Sequence, residues 1–123
     1  MTIPHRTIGT GPTTVFLLHG WFGSADGWGS FPDYLDPEVA TWVFTDNRGY
    51  GARIAESGDY SLDEVAADVL TLADELGVEN FSLVGHSMGA RVAMAAAAWR
   101  PRAWRTVAMA DIGPEAWAQN WRE

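Results

Sequence analysis

The chain contains no cysteine. That absence excludes a disulfide framework, a thiolate metal site and a cysteine nucleophile together, and it fits a reducing compartment. Histidine is scarce, with only His5, His19 and His86. Basic side chains are few as well: eight against sixteen acidic ones leave a net charge of −8. A chain this acidic is repelled by phosphate backbones and by anionic lipid, so neither nucleic acid nor a membrane is an expected partner. The longest alanine-rich apolar run, around Val92 to Trp99, is far too short to span a bilayer. Residues Met1 to Arg6 show no cationic segment followed by an apolar one, so no secretory signal is expected and the expected location is cytoplasmic. Repeats, linkers and low-complexity tracts are missing. Gly9 to Pro12 (G-T-G-P) lacks the lysine and spacing of a phosphate loop, and no metal cluster or nucleotide fingerprint is seen, so no cofactor or metal is expected.

What is there is globular in kind. The 123 residues are 47% hydrophobic and 20% charged, the size of one domain that buries about two-thirds of its unfolded surface. Short β-type runs alternate with helix-type segments, the pattern of βα units around a parallel sheet. Strands are expected at Thr14 to Leu18, Ala40 to Thr45, Phe81 to Val84 and Thr106 to Ala110, with a further one possible within Thr2 to Ile8. The first is apolar throughout, as a strand covered on both faces should be. A weakly helical piece is expected from about Ala25 to Leu35, interrupted by Pro32. The clearest helix begins at Ser61, which has capping-box spacing to Glu64. Leu62, Val65, Ala66, Val69, Leu72, Ala73 and Leu76 follow at helical period, and Gly77 is the stop. A third helix runs from Met88 to about Arg100, ending at Pro101. The tail carrying Trp117 and Trp121 could add an amphipathic turn.

The chemistry-bearing motif is Gly85-His86-Ser87-Met88-Gly89, which matches G-x-S-x-G. Such a pentad holds a serine on a sharp turn between a strand and a helix. Small residues on either side let neighbouring elements approach closely. Ser87 Oγ would then stand exposed at a helix N-terminus, with the Met88 backbone N–H aimed at a developing oxyanion. A random chain of this length contains the pattern roughly 4% of the time, so the strand before it and the helix after it carry most of the weight. The bland reading is a glycine-rich turn with a capping serine.

Through these motifs the chain resembles the N-terminal part of an α/β-hydrolase of the esterase, lipase and perhydrolase type. His19-Gly20-Trp21-Phe22-Gly23 is similar to the family's oxyanion loop, Asp46 to Gly51 to its D-x-R-G-x-G segment, and Gly85 to Gly89 to its elbow. Asp111 to Pro114 resembles the run after the next strand. The resemblance covers about Thr14 to Pro114. It implies a partial α/β-hydrolase fold, about four parallel strands with helices on both faces, and a single truncated domain over residues 1–123. It implies Ser87 as nucleophile and the N–H groups of Trp21 and Met88 as the oxyanion hole, with His19 and Gly20 shaping the loop. Asp46 and Arg48 hold their own loop by hydrogen bonds and ion pairing. His86 is expected to point away from Oγ into packing. Trp21 borders the site, and the other tryptophans are core and interface.

A serine hydroxyl needs a base to take its proton. In this family the partners come in the order serine, acid, histidine, yet no histidine follows Ser87. Asp111 is a weak candidate for the acid. His5 would have to cross the site or reach it from another subunit. Weak or absent activity on a small ester is therefore expected. The strand at Thr106 to Ala110 would be an open edge, and such edges attract partners. A homo-oligomer through that edge, or through Trp104, Trp117 and Trp121, is the expected assembly. The alternatives are a non-catalytic self-assembling scaffold, a fragment of a longer hydrolase, and complementation by a separate chain carrying acid and histidine. Dehalogenase or epoxide-hydrolase chemistry is disfavoured, because those relatives place aspartate where Ser87 stands.

Overall fold

The computed structural model describes residues 3–20 and 23–110. Five strands form one sheet: β1 (His5–Ile8), β2 (Thr13–Leu18), β3 (Ala40–Thr45), β4 (Phe81–His86) and β5 (Trp104–Ala110). Their order across the sheet is β1-β3-β2-β4-β5. β2 to β5 run parallel, and β1 joins antiparallel to β3 at the edge. The four-residue β1 settles the open question about Thr2 to Ile8.

Alternation along β2 feeds two cores. Phe16 and Leu18 face one side, where both α-helices lie: α1 (Leu62–Glu75) and α2 (Met88–Trp99). Val15 and Leu17 face the other, packed with Ala25, Ala40 and Phe44. Phe16, Phe44 and Phe81 are all at most 1% exposed, and burying each contributes about 1.5–3 kcal/mol. Phe16 meets Phe81 edge to face at 5.3 Å.

The stretch from 25 to 35 corrects its expectation. It is turns followed by one 3-10 turn, Phe31–Tyr34, not an α-helix. Gly27, Gly29 and Pro32 withhold the propensity and the N–H groups that a continuous helix requires. The segment is held instead by tertiary contacts: Trp28 packs edge-on to Phe44 at 6.0 Å, and the Ala25 N–H donates to Asp46 Oδ1 at 2.8 Å.

α1 begins as its capping spacing predicts. Ser61 Oγ accepts the Glu64 N–H at 3.1 Å. The reciprocal half is displaced, because the Glu64 carboxylate takes the N–H groups of Asp59 and Tyr60 while Ser61 N–H donates to Asp59 Oδ1. Gly77, at φ 70°, ends the helix.

Register sets the position of everything that follows. Leu18 stands opposite Thr45 on one side and Gly85 on the other. The chain therefore leaves three adjacent parallel strands side by side, at His19, at Asp46 and at the Gly85–Ser87 turn.

Candidate active site

Ser87 sits between β4 and α2 at φ 56° and ψ −116°. A non-glycine residue held there costs about 1–3 kcal/mol, and such strain is kept where surrounding structure enforces it. Close packing enforces it here. A Cβ added to Gly85 would come within 2.5 Å of Ala90 Cα, and one on Gly89 within 2.6 Å of the Leu18 carbonyl carbon. The elbow is thus pressed onto β2 and its own helix, as the small residues of the pentad predict.

The capping reading does not hold. Ser87 occupies the N-cap position of α2 but makes no side-chain capping bond, whereas Ser61 does so at α1. Ser87 instead lines a concavity of about 410 Å³ with His19, Gly20, Gly23, Gly27, Trp28 and His86. Met88 supplies the first amide of α2, one of the N-terminal N–H groups with no acceptor inside the helix.

Gly20 brings the loop after β2 against this elbow. A Cβ there would lie 3.1 Å from Ser87 Cβ and 3.4 Å from His86 Nδ1. His19 fixes the loop from beneath. It is 3% exposed; its Nε2 accepts the Asn47 backbone N–H at 2.9 Å, and its Nδ1 lies 2.7 Å from the Gly20 carbonyl. A ring nitrogen that accepts an N–H is unprotonated, so the proton sits on Nδ1 and is donated to Gly20. Burial holds this imidazole below the ordinary histidine range, against the opposing pull of the Gly20 carbonyl and the Asp46 carboxylate. Such a group is a strut and not a base.

Asp46 and Arg48 have the holding roles expected. The Asp46 carboxylate accepts the Ala25 and Ala52 N–H groups at 2.8 and 3.1 Å. Arg48 donates from Nε and a terminal nitrogen to both oxygens of Asp68, at 3.0 and 2.8 Å. Arg53, 3% exposed, adds a bond to Asp68 at 3.1 Å and a two-pronged pair with Glu56 at 2.8 and 2.9 Å. This network ties the loop after β3 to α1. Asp68 and Glu56 were missed in the sequence. The signal was present, because Asp68 interrupts the apolar stripe of Val65, Val69 and Leu72, and a charge in a buried stripe needs a partner.

His86 corrects a second expectation. It is not buried in packing: it is exposed, lines the concavity with Ser87, and meets the Trp28 ring edge-on at 6.2 Å. β4 runs on to His86, and period-two alternation puts its side chain on the Val84 face, opposite the helices. His5 stays remote. Its Nδ1 lies 2.8 Å from the Ile3 carbonyl, and three strand spacings separate β1 from β4, about 14 Å. Trp21, Asp111, Trp117 and Trp121 lie outside the described residues. Among the described residues no group of His, Asp and Glu side chains could hold a metal ion, and no helix is long and apolar enough to cross a membrane.

The sheet order, the strained serine after β4 and the loop after β2 define one class of protein. The model of the α/β hydrolase fold matches residues 13–123, and the chain belongs to that family. It is 40% identical over 87 residues to N-formylmaleamate deformylase of Pseudomonas putida, covering 68% of this chain and 31% of that protein. It is 36% identical over 104 residues to a mouse (Mus musculus) sn-1-specific diacylglycerol lipase, covering 84% of this chain and 33% of that one. Among solved structures, a marine microorganism esterase superposes with a TM-score of 0.83 at 25% identity, covering 97% of this chain and 48% of that one. The chain spans about a third of the length of the curated relatives it matches.

Proposed function

We propose that the chain carries the nucleophile half of a carboxylesterase-like serine hydrolase acting on small esters. Ser87 Oγ attacks the ester carbonyl carbon, and the N–H groups of Met88 and Trp21 take the oxyanion. The Ser87 proton passes to a base and on to the departing alkoxide as the C–O bond breaks. Water then releases the acid from the acyl-serine. The base comes from outside these 123 residues, because no histidine follows Ser87 in the order this family uses, His19 is committed to its loop, His5 is remote, and His86, the residue next to Ser87, sets its ring against Trp28; the chain alone is weakly active or inactive. Supporting this reading is a serine in a costly backbone conformation whose hydroxyl does not cap its own helix. The test is labelling by a small fluorophosphonate and p-nitrophenyl acetate turnover, each against Ser87→Ala. Site-specific labelling at Ser87 supports the proposal; turnover and labelling unchanged by Ser87→Ala overturn it.

One observation favours a second reading, a self-assembling scaffold. On the outer side of β5 no described strand pairs, and Trp104 and Met109 of that strand are 37% and 41% exposed. We propose that copies of the chain pair along this edge, which is compatible with either reading. A fluorophosphonate that leaves Ser87 unmodified favours the scaffold alone.

A further inference from the structure

Charge is segregated along this chain. From Thr7 to Asn47 there are five acids and no arginine or lysine; from Asn80 to Ala110 there are four arginines and no acid. The first stretch builds β2 and β3 and the second builds β4 and β5, so the two signs occupy opposite flanks of one sheet. Both flanks reach its base, the end away from Ser87, because β2 to β5 run parallel and the loops that lead into them share that end. Before β3 the base carries Asp36 and Glu38. Before β5 it carries Arg102, with Arg105 one residue into the strand. Three strand spacings separate the two, about 14 Å.

We infer that two copies of the chain dock base to base, each setting Asp36 and Glu38 against Arg102 and Arg105 of the other. A twofold axis along the sheet normal, passing between β2 and β4, carries β3 of one copy onto β5 of the other and β5 onto β3. Every acid–arginine contact then occurs twice, as a self-complementary interface requires. Both Ser87 sites stay open, so the docking is independent of the esterase reading.

The groups involved are available and preset. Among the described residues the side chains of Glu38, Arg102 and Arg105 meet no hydrogen-bond or ion-pair partner. The acidic loop is already held in shape, since Asp36 Oδ1 accepts the Glu38 N–H and its carbonyl accepts the Trp42 indole N–H, both at 2.9 Å. Little ordering is therefore left to be done on docking. On the receiving side a cleft of about 480 Å³ lies between the loops before β4 and β5, lined by Glu79, Asn80, Arg100, Pro101, Arg102 and Ala103. Asp74 meets both terminal nitrogens of Arg100 at 2.7 Å. What remains is Arg102 and Arg105 against the single acid Glu79. Apolar surface accompanies the charges: Val39 beside Glu38, Leu76 after α1 and Trp99 at the end of α2 are 59%, 37% and 49% exposed, and exposed apolar groups gathered at one end mark a contact surface.

The test is sedimentation equilibrium of the full chain. A net charge of −8 on each copy opposes any association, and this separates local complementarity from general repulsion. Glu38→Arg exchanges an acid for a base and brings each copy from −8 to −6. General repulsion falls, yet the dimer is expected to dissociate about tenfold more readily, because attraction becomes repulsion at two symmetric contacts. Arg102→Glu should weaken it too. The two substitutions together return the charge to −8 and should restore the native constant. Both positions are exposed, and thermal melts check that each variant is folded. Thr106→Pro, which disables the outer edge of β5, should leave this dimer in place. Tighter association of Glu38→Arg overturns the proposal, as does a double variant that fails to recover. A native chain that stays monomeric at millimolar concentration overturns it, and complete loss of association in Thr106→Pro assigns the contact to the strand edge instead.

Discussion

The neutral imidazole of His19 makes the stability of this fold depend on pH in a calculable way. In the unfolded chain a histidine titrates near 6.5. In the folded chain burial holds His19 lower, and its Nε2 is occupied by the Asn47 N–H. Between the lowered folded value and about 6.5 the unfolded state therefore binds a proton that the folded state does not. Stability is complete above that window and is lost as pH falls through it. If the folded ring stays neutral throughout, the loss between pH 7.5 and 5.5 reaches about 1.4 kcal/mol, equal to one pKa unit of linkage. That is a visible part of a total of about 5–15 kcal/mol. The assay is urea unfolding of the wild-type chain and of His19→Gln at both pH values. Glutamine keeps a donor and an acceptor but does not titrate, so its variant should lack this increment while every other titrating group contributes equally to both. The same pH-dependent loss in both proteins would refute the reasoning. His19→Phe should be harsher at any pH, because it orphans the Asn47 N–H and the Gly20 carbonyl, about 2–6 kcal/mol for the pair.

Ser87→Gly should raise stability by about 1 kcal/mol, since glycine accepts the left-handed backbone, while abolishing fluorophosphonate labelling; a loss of stability in thermal melts would count against a strained elbow. Asp68→Asn should cost about 3–5 kcal/mol, because Arg53 is buried and loses part of its charge compensation; chemical denaturation measures it, and a change under 1 kcal/mol would show that the network is slack. Thr106→Pro on the outer strand should shift the chain towards monomer in sedimentation if copies pair along β5; an unchanged distribution places any association elsewhere.

Much of this architecture was legible in the residues. β3 occupies the predicted Ala40–Thr45, and α1 starts at the capping serine, because long periodic segments with explicit stop signals leave few alternatives. The 25–35 segment reads as helical in sequence because its apolar residues are spaced for packing on the sheet, while its glycines and proline forbid a continuous helix. β4 runs two residues past the predicted end at Val84, and alternation from Val84 sets the face on which His86 lies. The elbow and the Asp46 loop were visible as motifs. The seating of Tyr60 over Gly49 was not: Tyr60 takes a positive φ that nothing in its residue type announces, and Gly49 and Glu64, which make room for it and hold it, act only through tertiary contact.

The order of strands along the chain differs from their order in space, and this has a consequence for how the protein is made. β1, β3 and β2 lie side by side and are all synthesised early, so His19 and Asp46 can be set in place on a three-stranded platform. β4 must then return across the whole of α1 to lie against β2, pairing Ser82 with Val15. That closure is entropically the most demanding in the sheet. Until it happens, the flank of β2 that β4 covers is an open apolar edge on the nascent polypeptide, and the Ser87 turn has not yet come to rest against Gly20.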